Sequence, residues 1–236
     1  MATSGVTTNQ LTRNQFIEAA LRKIGALAID QTPAATEYTN GTIALNGLIG
    51  EFRALQMPIW ARTSTSFALT ASTQSYNIGS SQTINVPYPI HILQAWRVDT
   101  GSTTRVPMEI IPNFNINLYP TTSAGRPIQI NYQPKINQGV LQVWPVPDAD
   151  AVTNCTVYIV YQRPYEYFNG STDTLDMPEE WVHPVIYQLA VRLAPEYGLP
   201  LMERQQLAKE AGALLELALQ NGTEDASIFF QPHRHA

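Results

Sequence analysis

Apolar residues recur along this chain with two different periods. Phe16, Ile17, Ala20, Leu21, Ile24 and Leu27 follow one another at spacings of one, three and four. That is one face of an amphipathic helix over about residues 13–27. Thr12, just ahead of it, reads as its N-cap. Asp30-Gln-Thr-Pro33 breaks the pattern and can cap a second helix, with Pro33 near the first turn. Leu45, Leu48, Ile49, Phe52 and Leu55 form the apolar face of that helix. Gly41, Gly47 and Gly50 lie inside it, each costing about 1 kcal/mol against alanine. Either the helix starts late, or these positions let another helix come close. Met57-Pro58 ends the unit.

From Trp60 to about Phe168 the period drops to two, with β-branched and aromatic residues and frequent Pro and Gly. Strands are predicted over 65–70, 74–78, 90–99, 105–110, 127–133, 140–146 and 153–163. The last is the clearest. Cys155, Val157, Ile159 and Tyr161 face one way; Thr156, Tyr158, Val160 and Gln162 face the other. Short strands at regular spacing suggest a sandwich or barrel-like domain.

Helical periodicity returns at Asp176. Pro178-Glu179-Glu180 places proline and acids in a first turn, where the helix dipole favours negative charge. Trp181, Val182, Val185, Ile186, Leu189, Ala190 and Leu193 make the apolar face. Pro184 either kinks this helix or marks its real start. Ala194-Pro195-Glu-Tyr-Gly-Leu-Pro200 is a break. A last helix spans about 201–220 with Leu207, Ala211, Leu214, Leu215 and Ala218 on one face, and Asn221-Gly222 stops it.

The expected fold is therefore α+β. Residues 1–58 form an arm and a helix pair, and 59–172 an inserted antiparallel β-sandwich or barrel-like domain. Residues 173–222 form a second helix pair, and 223–236 an extended tail. Two short amphipathic pairs cannot each bury an apolar face alone, so they are expected to complete one four-helix unit.

Composition changes the picture in one respect. Only 14% of residues are charged, against roughly 25% in an average soluble protein. Thr, Asn, Gln and Ser fill the gap. Such a surface suits a protein covered by neighbours. The net charge of −5 comes from the C-terminal helical segment. There Asp176, Glu179, Glu180, Glu196, Glu203, Glu210, Glu216, Glu224 and Asp225 face only Arg192, Arg204 and Lys209. No basic stripe exists, which argues against gripping DNA through its phosphates. No apolar run reaches membrane-spanning length, so no membrane anchor is expected. The polar N-terminus lacks a secretion signal, so assembly in the cytoplasm is expected.

Candidate chemistry is sparse. The chain has no G-x-S-x-G, P-loop, G-x-G-x-x-G or H-E-x-x-H pattern, so neither an enzyme nor a cofactor is expected. His91 reads as a surface strand residue and His183 as a structural helix residue. His233 and His235 lack a further metal ligand. Cys155 reads as a small core residue. Asp148 and Asp150 in Pro145-Val-Pro-Asp-Ala-Asp150 read as turn residues. Tyr158, Tyr161, Tyr165, Tyr167 and Phe168 cluster at the end of the β region, with a sugar platform as the minor reading. Phe229-Phe230 is an apolar pair on a polar tail. It folds back on its own subunit or docks on a partner, and the second reading is preferred.

Two stretches resemble a known family. One is Leu11-Thr-Arg-Asn-Gln-Phe-Ile-Glu-Ala-Ala-Leu-Arg-Lys-Ile-Gly-Ala26 with a second helix ending Glu51-Phe-Arg-Ala-Leu55. The other runs Leu175-Asp-Met-Pro-Glu-Glu-Trp181 and on to Leu189-Ala-Val-Arg-Leu-Ala-Pro-Glu-Tyr-Gly198. Both resemble the head-to-tail adaptors of podoviruses, the tail tubular protein A or packaged-DNA-stabilisation proteins. Leu141-Gln-Val-Trp-Pro-Val-Pro-Asp148 resembles the β domain of their longer members.

The resemblance implies a structural ring, a dodecamer, at the head–tail junction of the virion. It implies portal protein and tail nozzle as partners, with the tail fibre as a further candidate. Packaged DNA would pass through the ring without sequence-specific contact, be retained there and be released at ejection. The C-terminal segment would reach the portal, making Phe229, Phe230, His233 and Arg234 contact candidates. Glu203, Glu210 and Glu216 become candidates for lining the channel, where negative charge lets DNA slide. The alternative is another tail or baseplate component whose β domain binds a fibre or host glycan.

Overall fold

Thr12 opens the first helix through a reciprocal cap. Its hydroxyl accepts the Gln15 N–H at 3.4 Å, and the Gln15 carboxamide accepts the Thr12 N–H at 2.9 Å. The helix, α1, runs Arg13–Lys23 in a computed structural model that describes residues 9–54, 59–116, 118–136 and 138–221. It stops earlier than its apolar pattern suggests because Gly25 takes a φ of 71°. That left-handed residue lets the Ala26 N–H close back onto the Leu21 carbonyl at 3.0 Å.

The second helix, α2, spans Ala35–Phe52. Pro33 lies just outside it, and Glu37 caps the start by accepting the Ala34 N–H at 2.7 Å. The helix does not start late: all three glycines lie within it. At Gly41 the reason is close approach. A Cβ there would stand 2.7 Å from Ile17 Cγ2 on α1. Gly41→Val is expected to destabilise the protein by about 1–3 kcal/mol through overpacking. A thermal melt that left the midpoint unchanged would contradict that account.

The chain divides into two compact units. One holds the described residues up to Trp60 and from Tyr165 onward; the other is Ala61–Pro164. In the first unit, two further helices complete the set, α5 (Val182–Leu193) and α6 (Leu201–Asn221). α5 packs against α1, α2 and α6. Contact on three sides explains why Val182, Pro184, Val185, Ile186, Leu189, Ala190 and Leu193 are all buried. Pro184 marks the start of the α-helix, the second of the two readings. It occupies the first turn, where its missing N–H has no bond to make. Trp181, in the 3-10 turn Glu179–Trp181, stands edge-on to Phe52 at 5.3 Å and to Trp60 at 5.6 Å.

Residues 165–172, read from sequence as the end of the β region, pack with these helices. Asn46 of α2 ties down the Phe168 backbone, donating to its carbonyl at 2.9 Å and accepting its N–H at 3.0 Å. Phe168 lies 6.0 Å from Phe16. The Arg53 guanidinium sits over the Tyr167 ring at 3.8 Å.

The second unit carries nine strands in two sheets among the described residues. β1 (Arg62–Ala68), β9 (Cys155–Gln162), β4 (His91–Asp99) and β5 (Arg105–Pro107) form the first sheet in that spatial order. β3 (Ile84–Asn85), β2 (Ser75–Gly79), β8 (Gln138–Trp144), β7 (Gln129–Lys135) and β6 (Glu109–Ile110) form the second. One buried cluster draws on both, including Phe67, Ile78, Ile130, Leu141, Val157 and Ile159. The alternation read in β9 holds: Cys155, Val157, Ile159 and Tyr161 face this core. At its two ends the unit is stitched shut, with Arg62 opposite Gln162 and the Arg163 N–H on the Ala61 carbonyl at 2.9 Å.

Three features correct the sequence reading. Neither sheet closes among the described residues, so there is no barrel. The second sheet is mixed: β3 pairs β2 and β6 pairs β7 in parallel. Both parallel strands are two-residue edges; β3 is too short to leave a period in sequence, and β6 is the end of the strand predicted over 105–110, which the fold divides between β5 in the first sheet and β6 in the second. Finally, Pro145–Asp150 is not a plain turn. Asp148 caps a short helix, α4 (Ala149–Asn154), by accepting the Ala151 N–H at 2.7 Å. Another, α3 (Asn113–Ile116), lies between β6 and β7.

Candidate functional site

The most exposed regular element of the helical unit is α6. Among its described residues only Leu207, Ala211 and Ala218 are buried. Met202 is 83% exposed and Leu217 57%. At about 100° per residue, Met202, Ala213 and Leu217 fall within about 60° of one another on the solvent side, interspersed with the exposed Gln206, Lys209 and Gln220. Exposed large apolar side chains on a charge-poor protein mark a contact surface. The sequence reading missed Met202 and Leu217 because they fall off the face that packs on α5. The signal was there, in a helix apolar on more than one side.

Glu203, Glu210 and Glu216 are all exposed. Glu203 and Glu210 are nearly in line, seven residues apart, and flank a cleft whose other wall includes Arg22 and Lys23. Glu216 lies about 120° further round the helix. The structure therefore brings two of the three together and not the third. Phe229, Phe230, His233 and Arg234 lie outside the described residues.

In the β unit the charged groups form one chain of contacts. Asp99 pairs with Arg97 at 3.3 Å and with Arg126 at 2.7 Å, and accepts the Cys155 S–H at 3.2 Å. Arg126 also holds Asp150 at 2.8 Å, and Asp150 accepts from Asn154 at 2.7 Å. The Cys155 hydrogen bond, then the two arginines, hold the Asp99 carboxyl below its ordinary value against the opposing cost of burial. The Arg126 and Asn154 hydrogen bonds do the same for Asp150. Burial first, and the Asp99 carboxylate second, push the Cys155 thiol up to about 11. Cys155 is therefore a buried thiol with a partner, in the core position expected for it. In the helical unit, the N–H groups of Asn169 and Gly170 lower Asp173.

A stability effect follows with a definite sign. A carboxylate with a lowered folded pKa contributes stability above its unfolded value of about 3.9 and loses it as pH falls through the folded value. Thermal midpoints should stay level from neutrality to about pH 5 and fall below about pH 4. Asp99→Asn should flatten that acid limb. A decline that begins above pH 5 would assign the transition to other groups.

The outer face of the first sheet carries an aromatic pair. Trp96 of β4 stacks flat on Tyr158 of β9, with centroids 5.7 Å apart and planes 2° from parallel. The Arg105 guanidinium stands 5.0 Å from the Trp96 ring. Tyr158 was among the aromatic candidates in the sequence; Trp96 and Arg105 were not. Their neighbours in space come from cross-strand pairing, which sequence does not display. Tyr165 and Phe168 are core residues of the helical unit, not part of this face.

His91 and His183 are both exposed, in separate units. Among the described residues no three His, Cys, Asp or Glu side chains gather as metal ligands. No described helix is long and apolar enough to cross a membrane.

Exposed apolar side chains on α6 and an aromatic stack on the first sheet mark contact surfaces on an α+β protein. The sequence matches the SU10 adaptor protein family over residues 12–234, and the chain belongs to that family, one of phage head-to-tail adaptors. It is thus a phage structural adaptor and a component of the virion. A comparison with curated proteins returned no match.

Proposed function

We propose that this chain forms a ring, of twelve copies, between the portal and the tail of a short-tailed bacteriophage. The ring continues the DNA channel, retains packaged DNA and lets it pass at ejection. Its partners are further copies of the chain, the portal protein, the tail nozzle and a tail fibre. The two helix pairs act together as one four-helix unit that forms the ring wall. The observation that carries this reading is α6, whose exposed Met202, Ala213 and Leu217, set among Gln206, Lys209 and Gln220, give neighbouring copies a mixed apolar and polar seam. Glu203 and Glu210 stand on one line of α6 and supply negative charge to the lumen. Glu216 serves another face. The tail residues Phe229, Phe230, His233 and Arg234 dock on the portal.

The test is the particle mass of the purified protein, alone and mixed with portal from the same phage, by mass photometry. A small free species that assembles on portal supports the reading. A species indifferent to portal removes it. A second reading draws on the Trp96–Tyr158 stack with Arg105 beside it. Such a face suits a fibre or a glycan, and binding of a polysaccharide by the protein would favour it.

A further inference from the structure

Among the described residues, four strands edge the two sheets of the β unit, and they are not alike. β3 and β6 are two residues long. β5 has three residues and ends on Pro107, which has no N–H to offer. Short strands and proline are common ways of blunting a sheet edge. β1 has neither protection. It runs seven residues without proline, and no bulge interrupts its register against β9. No charged side chain follows Arg62 in it. Ser64, Ser66 and Ala68 are exposed, and Thr63, Thr65 and Phe67 alternate with them on the more buried face. Among the described residues, the backbone of 63–68 bonds to β9 alone. Along its other side, alternate N–H and C=O groups therefore point outward. An open edge of this length is a template for another strand.

The chain contains a segment of matching length and chemistry. Eight residues outside the described ones, Met1-Ala-Thr-Ser-Gly-Val-Thr-Thr8, precede Asn9. They include no charged side chain and no proline, so every backbone N–H from Ala2 onward is available to donate. Thr3, Val6, Thr7 and Thr8 are β-branched, a type that suits a pleated strand. Extended at about 3.3 Å per residue, the segment spans about 26 Å, against about 23 Å for β1. It starts from an anchored point. The Asn9 N–H donates to Glu179 Oε2 at 2.8 Å, and Thr12 is bridged antiparallel to Thr174. Thr12 itself has a φ of −79° and a ψ of 161°, so the backbone entering α1 is extended.

We propose that residues 1–8 of one copy add as a strand to the open edge of β1 in the next copy. An arm on an edge joins two different surfaces, so the contact is heterologous and repeats from copy to copy until a ring closes. The proposal rests on the ring reading above and gives neighbouring copies a second contact besides α6. Its affinity comes from main-chain bonds. The lack of charge on both strands lets them meet without burying an unpaired ion.

Cysteine variants of the full chain test it. Ser4→Cys and Gly5→Cys place a thiol at the centre of the arm, one for each face of a strand. Ser66→Cys places one near the centre of β1. Each arm variant is mixed with the edge variant and with portal from the same phage, then treated with a short bis-maleimide. Cys155 is buried and stays out of reach. Particle mass is read on the same samples. A covalent dimer holding one chain of each variant, told apart by isotope label, is expected. Thr103→Cys, exposed in the turn between β4 and β5, should give no such dimer. Adding Thr3→Pro and Thr8→Pro to the arm removes a donor facing β1 in either register. It should cut the dimer about fivefold or more, the scale of one net hydrogen bond. Rings without the dimer overturn the proposal and leave the ring reading standing. Dimer without rings upholds the strand contact and removes the ring. Neither rings nor dimer overturns both. A link formed only within single chains that carry both cysteines places the arm on its own subunit and overturns the proposal. A proline-bearing arm that links as well as the unsubstituted one does the same.

Discussion

Trp181→Ala should be the most damaging single substitution in the helical unit, costing about 3–5 kcal/mol of stability. Trp181 is 3% exposed. Its ring fills the space between Phe52 at the end of α2 and Trp60, edge-on to both. It also stands at the entry to α5, where its N–H bonds the Pro178 carbonyl at 3.0 Å. Alanine would keep that backbone bond but remove the ring and leave a cavity among aromatic walls. A domain of ordinary stability has about 5–15 kcal/mol in all, so the variant should sit near its threshold at 37 °C. Urea titration by tryptophan-independent far-UV circular dichroism would measure this. A loss under about 1 kcal/mol would mean that Phe52 and Trp60 close over the gap. Trp181→Phe, which keeps a ring, should recover most of the loss.

Met202→Arg combined with Leu217→Arg should abolish assembly while leaving the fold intact. Both side chains are largely exposed, so two arginines there cost the monomer little. In a seam between copies they would place like charges against each other in every interface of the ring. Each buried, unpaired charge costs several kcal/mol, and the penalty repeats at every subunit. The readouts are the particle mass with portal and the melting temperature without it. Rings of unchanged mass from the double variant would show that this strip of α6 faces elsewhere. Loss of rings with a melting point lowered by many degrees would trace the effect to the fold instead.

Long, strongly periodic elements are legible in the amino-acid sequence. α1, α2, α5, α6 and β9 all stand where the period of apolar positions puts them, because each buries one face against a fixed partner. Ends are less legible. Helix α1 stops at Lys23 because of the backbone at Gly25, while Leu27 continues the apolar count and is buried from a loop. The two-residue strand β3 and the short helices α3 and α4 carry no periodic signal, and the single strand predicted over 105–110 is split into β5 and β6, one in each sheet. Tyr165 to Phe168 resemble strand in composition, yet their bonds run to Asn46 on α2 and to Arg53 just after it. Of the contact candidates, the glutamates on α6 are readable as exposed. That Glu216 parts company from Glu203 and Glu210 follows from helix geometry, which the sequence already contains. The Trp96–Tyr158 stack depends on strands far apart in sequence, and register is what brings them together.

The β unit enters and leaves through adjacent, paired strands, with Ala61 and Arg163 hydrogen-bonded to one another. For the helices that precede and follow it in the chain, a stretch of more than a hundred residues therefore behaves as a short hairpin connection. Closing a long unstructured loop grows costly with its length; a loop whose ends are already tied carries almost none of that burden. The helical residues on either side of Ala61–Pro164 therefore meet the β unit as they would meet the two ends of a tight turn.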